Sequence, residues 1–140
     1  MRILFSPLGD TDPVRGCYDG AMLHIVRHYQ PERIVLFYTH DMAEKERHDH
    51  RYTRAVQRLA PECQIEEVFT EIRDAHLYES FSRILPQEVL RIRETYPGST
   101  LLLNLSSGTP QMKTVLAMLA SDMEHCIGVQ VAAPARHSNR

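Results

Sequence analysis

Thr100-Leu101-Leu102-Leu103-Asn104-Leu105-Ser106-Ser107-Gly108-Thr109-Pro110-Gln111-Met112-Lys113 decides the fold of this chain. Thr100 to Leu105, of strand length with Leu101, Leu102 and Leu103 at its centre, predicts a strand of a parallel sheet. It passes at once into hydroxyl, glycine and proline residues. From Gln111 to Ser121 the apolar positions Met112, Val115, Leu116 and Leu119 fall at helical spacing. Strand, tight polar turn and helix in direct succession form half of a strand–helix–strand unit.

The same grammar repeats outward. Arg2 to Phe5 predicts a strand, followed by a Pro/Gly/Asp-rich loop from Ser6 to Pro13. Asp19 or Gly20 opens a helix carrying Ala21, Met22, Ile25, Val26 and Tyr29, and Pro31 ends it. Arg33 to Tyr38 is a second continuous apolar strand. Asp41 is expected to cap a polar helix from about Met42 to Leu59, stopped by Pro61. Gln64 to Phe69 predicts a third strand. Residues 74 to 96 have a helical pattern that Pro86 must kink or split. Cys126 to Ala132 predicts a last strand, with a tail over 134–140 after a domain of residues 1–133. Alternating strands and helices imply right-handed crossovers, so the fold class is α/β, Rossmann-like, with a mostly parallel sheet and helices on both faces.

Bulk properties narrow the function. The 140 residues suit one domain, and 43% apolar with 24% charged residues is an ordinary globular composition. The net charge of −2 argues against a grip on duplex DNA or long RNA through phosphates, so a nucleic-acid ligand must be small and held locally. No apolar run approaches the roughly 20 residues of a membrane helix, and the start is too short for a signal-peptide core; a cytoplasmic protein is expected. Cys17, Cys63 and Cys126 are widely spaced and read as reduced, mostly buried thiols. His48 and His50 lie on different helix faces, and neither a metal site nor a cofactor is indicated.

In an open parallel sheet a ligand sits beyond the carboxyl ends of the strands where strand order reverses. With the common order 3-2-1-4-5 that point lies between the first and fourth strands. The loops leaving them are the least ordinary stretches of the sequence. In the later loop Thr109 suits an N-cap, Pro110 the first helical position, and Gly108 a close approach of backbone to ligand. The helix start offers N–H groups and a positive dipole end to phosphate, Ser106, Ser107 and Thr109 add hydroxyls, and Lys113 stands one turn in. A capped strand-to-helix turn with no ligand accounts for the same residues. The earlier loop, Gly9-Asp10-Thr11-Asp12-Pro13, reads equally as an Asx-turn, and two carboxylates repel phosphate unless they point away or meet ribose hydroxyls. It carries neither the further glycines of a dinucleotide fingerprint nor a Walker A lysine. His40 follows the second strand and is a rim candidate, though a helix-entry role fits better. His24 and His28 read as partly exposed helix residues beside Tyr18.

The segments ILFSPLGDTDP, DGAMLHIVRHYQPERIVLFYT and NLSSGTPQMKTVL together resemble the CARF domain of the type III CRISPR ancillary ribonucleases of the Csm class, over nearly the whole chain. The resemblance implies a homodimeric sensor that binds cyclic oligoadenylate across its two-fold axis. Its ligand contacts would be Gly9, Asp10, Thr11 and Asp12 with Asn104, Ser106, Ser107, Gly108, Thr109, Gln111 and Lys113. The SGTPQM form resembles the members that respond to cyclic hexaadenylate more than those that use the tetraadenylate ring. Full-length relatives continue into a HEPN ribonuclease domain with an Arg followed after four to six residues by His. Here only Arg33 and His40 have that spacing, across a strand expected to be buried, so this chain alone is not expected to be the effector ribonuclease. Some CARF domains cleave their ring without metal, and such cleavage here would use Thr11, Ser106, Thr109 and Lys113. A sensor, a ring nuclease, and an unrelated Rossmann-like protein for a mononucleotide or sugar phosphate stay open at this point.

Overall fold

Strands buried on both sides must alternate their side chains between two helical layers. In the computed structural model, which describes residues 1–132, they do so. Five strands, β1 (Arg2–Pro7), β4 (Arg33–Tyr38), β5 (Gln64–Phe69), β6 (Thr100–Asn104) and β7 (Cys126–Val129), form one parallel sheet in the order β5-β4-β1-β6-β7. Counted among themselves, these strands have the expected order 3-2-1-4-5. Ile3, Phe5, Leu101 and Leu103 pack under helices α4 (Ile84–Thr95) and α5 (Pro110–Asp122). Leu4, Ile34, Leu36 and Leu102 pack on the other face, against α1 (Ala21–Tyr29), α2 (His40–Asp49) and α3 (Arg51–Leu59). No helix among the described residues is long and apolar enough to cross a membrane.

Several boundaries differ from expectation. β1 runs on to Pro7 because its ladder with β4 continues through Ser6↔Leu36 and Pro7↔Phe37, and pairing needs backbone rather than apolar side chains. β6 stops at Asn104, whose Oδ1 accepts from the N–H groups of Ser106 and Ser107 and turns the chain. β7 accordingly ends at Val129, opposite Asn104, and the Val131 N–H donates instead to Ser106 Oγ at 2.8 Å.

The polar helix expected from Met42 to Leu59 is two helices, and Thr39 rather than Asp41 is the N-cap of the first. His50 adopts a left-handed conformation (φ 54°) between them. Glu46, buried in α2, compensates the break by accepting from Tyr52 N, Thr53 N and Thr53 Oγ1 at 3.1, 3.2 and 2.7 Å. Over 74–96, regular helix begins only at Ile84. Pro86 falls in its first turn, where the missing N–H has no intrahelical role. Before it lie a loop and a single 3-10 turn, Tyr78–Ser80, beside exposed Leu77. Two further strands, β2 (Val14–Arg15) and β3 (Tyr18–Asp19), form a small antiparallel hairpin inside the β1–α1 connection. Of the cysteines, Cys126 is buried and Cys63 half-buried; Cys17, expected inside, is exposed at the hairpin tip. The expected tail, 134–140, lies outside the described residues.

Candidate functional site

The loops leaving β1 and β6 meet because those strands are neighbours and the sheet reverses direction there. Their approach is close enough that a Cβ on Gly9 would stand 2.9 Å from the Gly108 nitrogen. Gly108 has φ +94°, which side-chain-bearing residues rarely adopt.

A buried polar relay holds the two loops together. Asn104 is fully buried; its Nδ2 donates to Ser6 Oγ and Ser107 Oγ at 3.0 and 2.9 Å. Ser107 in turn hydrogen-bonds Asp12, whose carboxylate accepts from Gly9 N at 2.9 Å and from Met22 N at 3.0 Å. Burial raises the Asp12 carboxyl above its ordinary value, and the bonds from Gly9, Ser107 and Met22 oppose that rise. Asp12 therefore points into the protein, which removes half of the acidic clash foreseen at the phosphate site. Asn104, Ser107 and Asp12, expected as ligand contacts, are the framework under the site: their polar atoms are engaged with one another, with Ser6 Oγ and with the N–H groups of Gly9, Met22 and Ser106.

Above that framework opens a cleft of about 1070 Å³. One wall consists of Leu105, Ser106 and Lys113 with the residues after β7, Gln130, Val131 and Ala132. The other consists of Thr11, the hairpin residues Arg15, Cys17, Tyr18 and Asp19, and the first turns of α1 with Gly20, His24 and Arg27. Three of the four residues expected to do chemistry, Thr11, Ser106 and Lys113, thus face the same space. In a chain of net charge −2 these walls gather Arg15, Arg27 and Lys113 against Asp19 alone, a local field that favours anions. α5 begins at Pro110 with Thr109 as its N-cap, so its first-turn N–H groups are oriented toward the loop.

Thr109 caps by backbone position only. Its hydroxyl donates to the Ala75 carbonyl at 2.6 Å instead of to the helix, and it does not form part of the cleft walls. Gly9, Asp10 and Gln111 flank the cleft without lining it; Gln111 Oε1 is buried without a hydrogen-bond partner among the described residues. His40 stands apart, as the first residue of α2. Its Nδ1 lies 3.4 Å from Glu71, its Nε2 3.8 Å from Glu44, and its N–H donates to Ile72 O. That is a helix-entry position, and nothing brings it to the cleft.

The hairpin and α1 contributions escaped prediction. Two-residue strands leave no periodic signal, and the only clue was the clustering of Arg15, Tyr18, His24 and Arg27 just after the first loop.

The model of the Cas_Csm6 CARF domain family matches residues 62–140, more than half of the chain. The chain belongs to the Csm6 CARF family. This CARF domain is 39% identical to the CRISPR system endoribonuclease Csm6 of Enterococcus italicus, over 99% of its own length and 34% of the relative's. It is 41% identical to the Mycobacterium tuberculosis Csm6 over 96% of its length and 32% of that protein. The CARF domain thus spans about a third of the curated relatives it matches. Its structure is similar to that of Enterococcus italicus Csm6 bound to cyclic hexa-2'-fluoro-hexa-dAMP, with a TM-score of 0.84 and 38% identity over 96% of this chain and 34% of that one.

Proposed function

We propose that this CARF domain binds a cyclic oligoadenylate as the sensing part of a type III CRISPR defence protein in the cytoplasm. The observation that carries the proposal is the cleft between β1 and β6, where an anion-favouring, hydroxyl-bearing wall sits at the switch point of a fold shared with a protein that holds a six-membered nucleotide ring. An even-numbered ring presents equal halves, so a homodimer offering one cleft from each subunit meets it with matched contacts. The hexaadenylate ring is favoured over the tetraadenylate by the SGTPQM form of the later loop and by the six-unit ligand of the similar structure. Occupancy would then be passed to a HEPN ribonuclease domain of the kind the family resemblance implies.

The hydrogen bonds of the site divide the labour for slow, metal-independent cleavage of the ring. In that reaction a ribose 2'-oxygen bonds to the adjacent phosphorus, the bond to the 5'-oxygen breaks, and the proton lost by the 2'-hydroxyl is made up at the leaving 5'-oxygen. The products end in a 2',3'-cyclic phosphate and a 5'-hydroxyl. Thr109, whose hydroxyl is held on the Ala75 carbonyl outside the cleft walls, contributes only by capping α5. Ser106 Oγ accepts from Val131 N and keeps its own proton for a phosphate oxygen. Lys113 supplies charge to the developing phosphorane, and Thr11 on the facing wall orients the ribose.

Incubation with cyclic tetra- and hexaadenylate in EDTA, followed by chromatography of the nucleotide, tests both parts. Binding with slow appearance of 2',3'-cyclic-phosphate products supports sensing and cleavage together. Binding with no product removes the cleavage step, and binding of neither ring removes the proposed function.

A further inference from the structure

We infer that Tyr18 is the adenine-stacking residue of the cleft, presented there by the β2–β3 hairpin; this rests on the ring-binding reading above. The two walls of the cleft have different chemistry. The β6–α5 side offers the Ser106 hydroxyl and the Lys113 ammonium, both suited to ribose and phosphate. A nucleotide also brings a flat π face, and that side holds no ring to receive it. On the hairpin side Tyr18 lines the cleft and is its one phenol ring.

The hairpin is an excursion with little structural purpose of its own. Gly20 N–H donates to the Pro13 carbonyl at 2.8 Å, so the chain is tied off at the hairpin's root and residues 14–19 could be bypassed without changing the β1–α1 connection. Its residues bury no apolar side chain in either core; Val14 is 54% exposed. Two-residue strands do not hold themselves together. Outside bonds fix them instead: the Asp12 carboxylate spans Gly9 N and Met22 N on either side of the excursion, and Arg27 Nε donates to Asp19 Oδ2 at 2.8 Å. A segment that adds nothing to the core yet is braced at both ends is one whose position matters to a ligand.

Position and register then single out Tyr18. Arg15 and Tyr18 are direct cross-strand partners, so their side chains leave the ribbon on the same side, and both line the cleft. A phenol ring beside a guanidinium is a surface on which a purine stacks, with Arg15 adding its cation to the base face. Adenine at the hairpin and phosphate at Ser106 and Lys113 would place one nucleotide across the cleft.

The chain contains no tryptophan, so Tyr18→Trp introduces a single indole reporter. Binding of cyclic hexaadenylate is measured by calorimetry for the wild type, Tyr18→Leu and Tyr18→Trp, with melting temperatures confirming that each variant is folded. Loss of stacking in Tyr18→Leu is expected to weaken the ring about ten- to a hundredfold. Tyr18→Trp is expected to bind at least as tightly as the wild type, with indole emission quenched by the ring and unaffected by inorganic phosphate. Wild-type affinity in Tyr18→Leu, or binding to Tyr18→Trp with unchanged emission, overturns the assignment while leaving ring binding intact. Failure of the wild type to bind the ring removes the underlying reading, and the assignment with it.

Discussion

Replacing Asn104 by alanine should cost this domain a large part of its stability and uncouple the two loops. The side chain is wholly buried and makes four hydrogen bonds, donating to Ser6 and Ser107 and accepting from the N–H groups of Ser106 and Ser107. Alanine leaves two N–H groups without their acceptor and two hydroxyl oxygens without their donor. At about 0.5–1.5 kcal/mol net per bond, and with no water able to replace the amide fully, the expected loss is about 3–4 kcal/mol. Against the total of about 5–15 kcal/mol typical of a domain, such a variant folds but melts early. With a urea m-value of about 2 kcal/mol/M, the midpoint of unfolding falls by about 1.5–2 M while the slope stays constant. The relay makes a second, sharper demand. Ser107→Ala already removes the oxygen that Asn104 addresses, so the double variant should be more stable than the sum of the two losses, by about 0.5–3 kcal/mol. Urea unfolding followed by circular dichroism measures all four corners of the cycle. A midpoint shift below about 0.5 M for Asn104→Ala, or strict additivity with Ser107→Ala, would refute the idea that this buried network locks the loops.

Three other outcomes follow from the same geometry. Lys113→Gln should weaken ring binding and lower the slope of log affinity against log salt by about 1.4–1.8, since each subunit of the proposed homodimer loses one phosphate contact, with the melting temperature unchanged; titrations at several salt concentrations measure it. Gly20→Ala places a Cβ 2.7 Å from Asp12 Oδ1 and 3.0 Å from Asp12 Cα, against backbone that cannot yield cheaply, and should cost about 1–3 kcal/mol in chemical denaturation. The buried Asp12 carboxyl is raised above 3.8, so its contribution to stability is fully present below that pH and is lost as pH rises through the folded value. Relative to Asp12→Asn, whose amide does not titrate there, wild-type stability should therefore decline across that window, and parallel stability–pH curves would contradict the assignment.

The parts of this protein legible in the sequence are those set by local pattern. Continuous apolar runs such as Arg33–Tyr38 and Leu101–Leu103 are what central parallel strands require, and with the common strand order taken for them the meeting of two loops follows. Elements that depend on distant partners were not legible. The break at His50 is stabilised by Glu46, a charged residue that the pattern assigns to solvent but the fold buries. Leu77 and Tyr78 complete an apparent helical stripe with Phe81, yet both are exposed, at and just before the single 3-10 turn. In the site, the sequence could mark a polar constellation but could not say that Asn104, Ser107 and Asp12 are linked beneath the surface while Ser106 and Lys113 face the cleft. His40 shares the carboxyl edge of the sheet but follows β4, on the side of β1 away from β6.

The central placing of β1 also sets a clock. Its first-made neighbour is β4; its other edge waits for β6, and the bond from Asn104 to Ser6 joins residues 98 positions apart. At translation rates of about 5–20 residues per second, roughly five to twenty seconds separate the synthesis of the two halves of the site. A nascent chain that already displays β1 and the hairpin has no second loop with which to close on a nucleotide. On the proposed function, the capacity to bind the ring is therefore acquired late, only once the last third of the domain has been made.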